Sequence, residues 1–248
     1  MQEGFTVKLY EGSNVTLADG EVAEGDLIPL SKVEPVVHST KEISLKKYRK
    51  ATSGEAIQRY GLDQAIDITD EEMVKEVQKD IRKDLFDLIQ SGDAETNLNA
   101  GTLQGALATA WGALQTVFDD DTVTTVAFVH PMDIAHANAH KELTLETQFG
   151  LNYYTTATGT VVFSSTQVVQ GTIYATAPEN LVVAYIPASN SEMGRAFNLT
   201  SDQTGYIGMK HFEHNETFTQ QTLIVSGVLL FPERLDGVVK VAIDEPEA

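Results

Sequence analysis

The first ninety residues constrain this chain most, because they spell a long hairpin and then one charge-laced helix, with almost no apolar stripe to bury either. Gly4 to Tyr10 alternates like a strand, residues 11 to 33 carry glycine, proline and acidic side chains, and residues 36 to 50 return as a strand with sparse apolar positions. A hairpin that cannot bury itself is marginal alone and rests on something else. An extended arm of this kind points to assembly before it points to catalysis.

Thr69-Asp70-Glu71-Glu72 has the form of a capping box, in which the threonine hydroxyl accepts from the Glu72 amide and the Glu72 carboxylate reaches back. Met73, Val77, Ile81, Leu85 and Leu88 then recur on one face up to Gly92, which predicts a helix over residues 69 to 92, about 34 Å long. Glu71 with Lys75 and Asp80 with Lys83 have the spacing of intrahelical ion pairs. Asp67, Asp70, Glu71 and Glu72 complement the positive end of the helix dipole and need no catalytic role.

A second helix is expected over residues 102 to 118, with Leu103, Ala106, Leu107, Ala110, Leu114 and Phe118 on one side and Trp111 as a core anchor. Thr122 to Val129 reads as a strand, and Pro131 opens a helix running to about Lys141. From Leu151 to Ile186 short β-branched runs alternate with turns, and Thr217 to Phe231 and Gly237 to Ile243 read as longer strands. Helices precede strands without regular alternation, so the class is α+β and not a doubly wound sheet.

The formal charge is −19, which argues against a protein that grips phosphates. It is unevenly spread: residues 1 to 83 hold 12 of the 17 Lys and Arg against 16 acids, and the rest hold 5 against 20. Lys41, Lys46, Lys47, Arg49 and Lys50 form a basic run on an otherwise acidic molecule, the pattern of electrostatic docking between copies. These five are the candidate subunit-interface residues, with a solvated face as the alternative. Reversing Lys46, Lys47 and Lys50 is expected to leave folding intact and to slow assembly.

Apolar content of 42% suits a folded protein with a substantial core. The chain has no cysteine and no apolar run long enough to span a membrane, and it opens without a signal-peptide pattern, so it reads as soluble and made in a cytoplasm. The sequons at Asn14, Asn198 and Asn215 then read as chance matches.

Common nucleotide, zinc-protease and serine-hydrolase motifs are absent. The one constellation with chemical promise is His130, His136 and His140, since positions 136 and 140 lie one turn apart on the expected helix and can share a metal. A metal-dependent enzyme built on them is the alternative from another functional class, although no carboxylate occupies the position such motifs require, and Asp133 sits in the first helical turn. His211 and Glu213 alternate onto one strand face and can pair. Asp119-Asp120-Asp121 reads as a solvated helix exit rather than a calcium loop. No cofactor and no catalytic residue are expected.

The order of these pieces carries a resemblance. Asp19-Gly20-Glu21-Val22-Ala23-Glu24-Gly25-Asp26 in the connection, then Ile43-Ser44-Leu45-Lys46-Lys47-Tyr48-Arg49-Lys50-Ala51 and the long helix, resemble the tailed-phage major capsid proteins of the Hong Kong 97 type. Phe128-Val129-His130-Pro131-Met132-Asp133-Ile134-Ala135, Gly171-Thr172-Ile173-Tyr174 and Glu179-Asn180-Leu181-Val182 are similar to that family's A-domain steps. The resemblance implies an E-loop and its base over residues 1–50, a P-domain with its spine helix over 51–98, and an A-domain over 99–202. It further implies a P-domain strand over 203–228 and a return to the A-domain over 229–248.

A structural, non-enzymatic role follows from it. The chain would self-assemble as hexamers and pentamers into an icosahedral virion shell around double-stranded DNA, in a host bacterial cytoplasm. Portal and scaffold or decoration proteins would be partners, with no membrane involved. An encapsulin-like compartment shell is the alternative within the same fold. The family's N-terminal arm has no counterpart in Met1-Gln2-Glu3, so the chain reads as a trimmed product. The type member's lysine–asparagine cross-link is not expected, because Lys32 is the single lysine near the loop tip.

Overall fold

Two strands, β1 (Thr6–Thr16) and β2 (Lys32–Glu42), pair as a ribbon, and β3 (Lys46–Ser53) follows a break at residues 43–45. The single strand expected over residues 36–50 is two because Ile43 leaves the ribbon. Its amide donates to the Phe5 carbonyl at 2.9 Å, its carbonyl accepts from Gly4 at 3.0 Å, and its side chain is buried. The computed structural model describes residues 3–22, 25, 27–91, 98–118, 122–139, 143–148, 151–188 and 191–244. Gly92, the Asp119-Asp120-Asp121 exit and His140 lie outside the described residues.

Helices α1 (Gly54–Tyr60) and α2 (Leu62–Ala65) lead into α3 (Asp67–Ser91), which is 25 residues and about 37 Å long. The expected capping box does not form. Helix α3 begins before Thr69, whose hydroxyl turns back to the carbonyls of Ala65 and Ile66, 2.9 and 3.0 Å away, because α2 runs almost straight into α3 and presents them. The chain continues through β4 (Leu98–Ala100), α4 (Leu103–Phe118), β5 (Val126–Val129) and α5 (Pro131–Ala139). Then come β6 (Thr144–Gln148), β7 (Leu151–Thr155), β8 (Val161–Ser164) and β9 (Thr172–Thr176). The last part holds β10 (Leu181–Tyr185), α6 (Glu192–Phe197), β11 (Thr200–Ser201), β12 (Ile207–His214), β13 (Thr219–Ser226), β14 (Val228–Pro232) and β15 (Val238–Ile243).

The chain divides into two compact units. The first comprises Met1–Val7, Lys41–Leu85 and Val183–Leu230. Its sheet runs β11-β12-β13-β3, antiparallel throughout, and α3 lies on one face with Val77 against Ile207 and Ile224, bordered by its own Met73 and Ile81 and by Tyr48 and Met209 of the sheet. The strand expected over residues 217–231 is divided at Gly227. A Cβ there would stand 3.0 Å from the Ile186 and Leu45 side chains, and its carbonyl accepts from the Ile186 amide at 2.7 Å.

The second unit comprises Lys8–Thr40, Phe86–Val182 and Phe231–Ala248. Its sheet has the order β4-β15-β9-β5-β8-β7-β6, with β4–β15 and β5–β8 parallel and the other pairs antiparallel. Helix α4 packs on this sheet through Leu103, Ala106, Leu107, Ala110 and Leu114, against Ala127, Val129, Val162, Ile173, Ala175, Val239 and Val241. Trp111 is not the expected anchor: it sits one position past Ala110, about 100° round the helix from the buried stripe, and is half-buried on the flank. The class is α+β, as expected.

Candidate assembly surfaces

The arm has no interior of its own. Every residue of β2 except Ser39 is exposed, so this strand buries neither of its faces. In the connection Leu17, Leu27, Ile28 and Leu30 stand 77, 93, 74 and 96% exposed. At the base, Leu9 is buried and Tyr10 pairs with the segment before β15: its amide donates to the Glu233 carbonyl at 2.9 Å and its carbonyl accepts from Leu235 at 2.8 Å. Lys32 opens β2 and forms an exposed ion pair with Glu34 at 2.7 Å.

Strand alternation splits the basic run. Even-numbered residues of β3 face α3, where Lys46 Nζ binds Asp80 and Asp84 at 2.7 and 2.6 Å and the Tyr48 hydroxyl donates to Asp80 at 2.9 Å. Burial works against the Lys46 charge, but its hydrogen bonds to Asp80 and Asp84 outweigh it and hold its pKa above the ordinary lysine value. Asp80 is held below the usual carboxylate range, by Lys46 first and Tyr48 second. The intrahelical Asp80–Lys83 pair gives way to Lys46, though the Lys83 charge still acts on Asp80. Lys75 pairs with Glu72 at 2.9 Å in place of the expected Glu71.

Lys50 reaches a more enclosed site. Its ammonium lies 2.5 Å from Oδ1 of Asp70, an ion pair without the angle of a directed hydrogen bond, and donates to the Ile66 carbonyl at 3.2 Å and to the Thr69 hydroxyl. Asp70 is only 4% exposed, and its other oxygen meets His211 Nε2 at 2.6 Å. Burial pushes the Asp70 carboxyl up, but Lys50, His211 and Thr222 together overcome this and hold it below the usual range. His211 thus bonds across to the helix and not to Glu213. Asp70 precedes Met73, Val77 and Ile81 by helical spacing, the one sign in the sequence that this acid faces inward.

Lys47 and Arg49 point to the opposite face of the sheet and are exposed. Lys210 lies across from them: Arg49 pairs with Leu223, and Leu223 with Lys210, in one row across β3, β13 and β12. That face therefore carries three cations, of which the run in the sequence reveals two. Lys41, near the end of β2, is also exposed.

His130 and His136 take separate local positions, and His140 lies outside the described residues. His130 precedes α5 and its Nδ1 accepts from the Met132 amide at 3.2 Å, while His136 is exposed on the helix. Asp133 is buried, with its carboxylate accepting from Gly171 at 2.9 Å. Among the described residues no group of three His, Cys, Asp or Glu is placed to hold a metal ion, and no helix is long and apolar enough to cross a membrane.

No protein-family model matches the chain, and no curated protein matches it in sequence. Solved structures do. The Cyanophage A-1(L) capsid subunit is 10% identical over 98% of this chain and 89% of its own, with a TM-score of 0.60. The mature capsid of bacteriophage PhiM1 is 8% identical over 99% of this chain and 83% of its own, at 0.59. The SrpI encapsulin of Synechococcus elongatus PCC 7942 is 13% identical over 95% and 83%, also at 0.59. These likenesses span nearly the whole chain and establish its fold.

Proposed function

Because the chain has the capsid fold of the Hong Kong 97 type, we propose that it is a major capsid protein of a tailed bacteriophage. It assembles as hexamers and pentamers into an icosahedral head around double-stranded DNA. The observation that carries this is the arm: a two-stranded ribbon whose connection exposes Leu17, Leu27, Ile28 and Leu30 gains its burial from neighbouring subunits. In this reading the arm is the E-loop, α3 and its four-stranded sheet belong to the P-domain, and α4 with the seven-stranded sheet forms the A-domain. The role is structural and not enzymatic. Portal and scaffold or decoration proteins complete the particle, which is built in the host bacterial cytoplasm.

Of the basic run, Lys47 and Arg49, joined by Lys210 and by Lys41 on the arm, are available to acidic surface of an adjacent copy. A net charge of −19 lets the shell hold DNA without gripping it. The encapsulin likeness supports a second reading, a compartment with protein cargo. Negative-stain microscopy and nuclease protection on purified particles separate the two. Shells with protected DNA are expected. Shells with protein cargo and no DNA favour the compartment, and a stable monomer in the presence of assembly partners overturns both.

A further inference from the structure

Asn180 ends the single helical turn Pro178–Asn180 and is 5% exposed. Its side-chain amide meets the backbone of Arg234 in both directions: Oδ1 accepts from the Arg234 amide and Nδ2 donates to the Arg234 carbonyl, each at 2.8 Å. The second Nδ2 proton goes to the Thr176 hydroxyl at 3.0 Å, whose own proton goes to the Gly237 carbonyl at 2.7 Å. The Asn180 carbonyl accepts from Glu233 at 2.8 Å. A primary amide carries the donor and acceptor of a peptide unit side by side, so residues 233–235 are held as though by one more strand. Gly237 permits the approach, since a Cβ there would stand 2.7 Å from the Phe118 ring and 2.8 Å from Asn180 Nδ2.

The segment so held is the one that fastens the arm, through the Glu233 carbonyl and the Leu235 amide on either side of Tyr10. Arg234 between them turns its guanidinium to Asp236, at 3.1 and 2.5 Å, and over the Phe118 ring at 5.3 Å, leaving its backbone to Asn180. Beyond Tyr10, β1 runs on to Thr16, about 20 Å further. A tilt of roughly 10° at Tyr10 therefore moves that end by about 3–4 Å, the rise of one residue along a strand.

We propose that Asn180 is the positioning residue of the arm: it fixes the 233–235 segment, and through Tyr10 the direction in which the exposed leucines are delivered to a neighbouring copy. This rests on the shell reading above, so its test has one readout independent of assembly. Hydrogen exchange on the full-length subunit compares Asn180→Ala with the parent protein. The amides of Tyr10 and Leu235 are expected to exchange at least about tenfold faster while those of β9 and β15 keep their protection, and particle yield from the same protein falls at least about tenfold. Thr176→Val removes only the hydroxyl that orients the amide, and gives the same pattern more weakly should Asn180→Ala fail to fold. Unchanged exchange at Tyr10 and Leu235 in a folded variant overturns the proposal, as does faster exchange with undiminished particle yield. A parent protein that forms no particles overturns the shell reading, and exchange alone then decides the fastening.

Discussion

Helix α4 is seated by leucines and alanines at or near zero exposure, whereas α3, half as long again, touches its sheet through a short apolar contact at Val77, Ile207 and Ile224 flanked by Lys46–Asp80–Asp84 and Lys50–Asp70–His211. The alanines of α4 let backbone approach backbone, and any aliphatic surface of the right shape receives them. The charges flanking α3 accept only their own partners. Packing of the first kind supplies stability that pH hardly changes; fastening of the second kind supplies register and carries a pH dependence with it.

The comparison breaks first at α4. Leu107→Ala leaves a cavity that its sheet cannot close and should cost about 4 kcal/mol in urea unfolding. A cost under about 1 kcal/mol would show that α4 is loosely seated and remove the contrast.

Next is Lys50→Ala, which leaves the buried Asp70 carboxylate with His211 and Thr222 but without its lysine. About 3 kcal/mol should be lost, the lower end of the range for breaking a buried pair, because the Lys50 side chain is 21% exposed. Asp70 also sets the sign of the acid response. Its folded-state pKa is depressed, so its contribution is present above the ordinary aspartate range and is lost as pH falls through the folded value, below about pH 4. Asp70→Asn should lower stability at neutral pH and flatten that acid limb, and an unchanged limb would place the dependence elsewhere.

Lys46→Ala should cost less than about 1 kcal/mol, since Lys46, Asp80 and Asp84 are 35, 40 and 33% exposed and water screens them. Reversing Lys46 or Lys50 sets like charges against α3, so the expectation that their reversal spares folding does not hold. Lys47→Glu with Arg49→Glu is the clean experiment. It should change subunit stability by no more than about 0.5 kcal/mol, while slowing assembly and blunting its sensitivity to salt. Normal assembly kinetics in this variant would reduce the outer cations to a solvated face.

Legibility in the sequence followed the range of the interaction. Helix α4 and strand β15 could be read from local periodicity, because the residues that decide them are a turn or a strand apart. The break at Ile43 and the division at Gly227 depend on neighbours that no window contains, the Phe5 backbone and the Ile186 side chain, whereas the start of α3 turns on the Ala65 carbonyl one turn back, where a cap and a continuing helix look alike in sequence. The basic run was visible as composition, but which cations face α3 depended on where β3 begins, since a shift of one residue exchanges the faces. Asp70 meets His211 across 141 positions and Asn180 meets Arg234 across 54, so the role of Asn180 leaves no local trace and that of Asp70 only its place in line with the apolar stripe of α3.

The ribbon formed by β1 and β2 also leaves the outer edge of β2 unpaired, and, on the proposed shell reading, a protein made in many copies meets such edges at high concentration long before any shell closes. Strand β2 is ill suited to that accident. Pro35 has no amide proton to offer an intruding strand, and Lys32, Glu34, Lys41 and Glu42 place charge at both ends of it. The arm is thereby open to side-chain docking and resistant to sheet extension, which separates ordered assembly from amyloid-like aggregation in the same crowded solution.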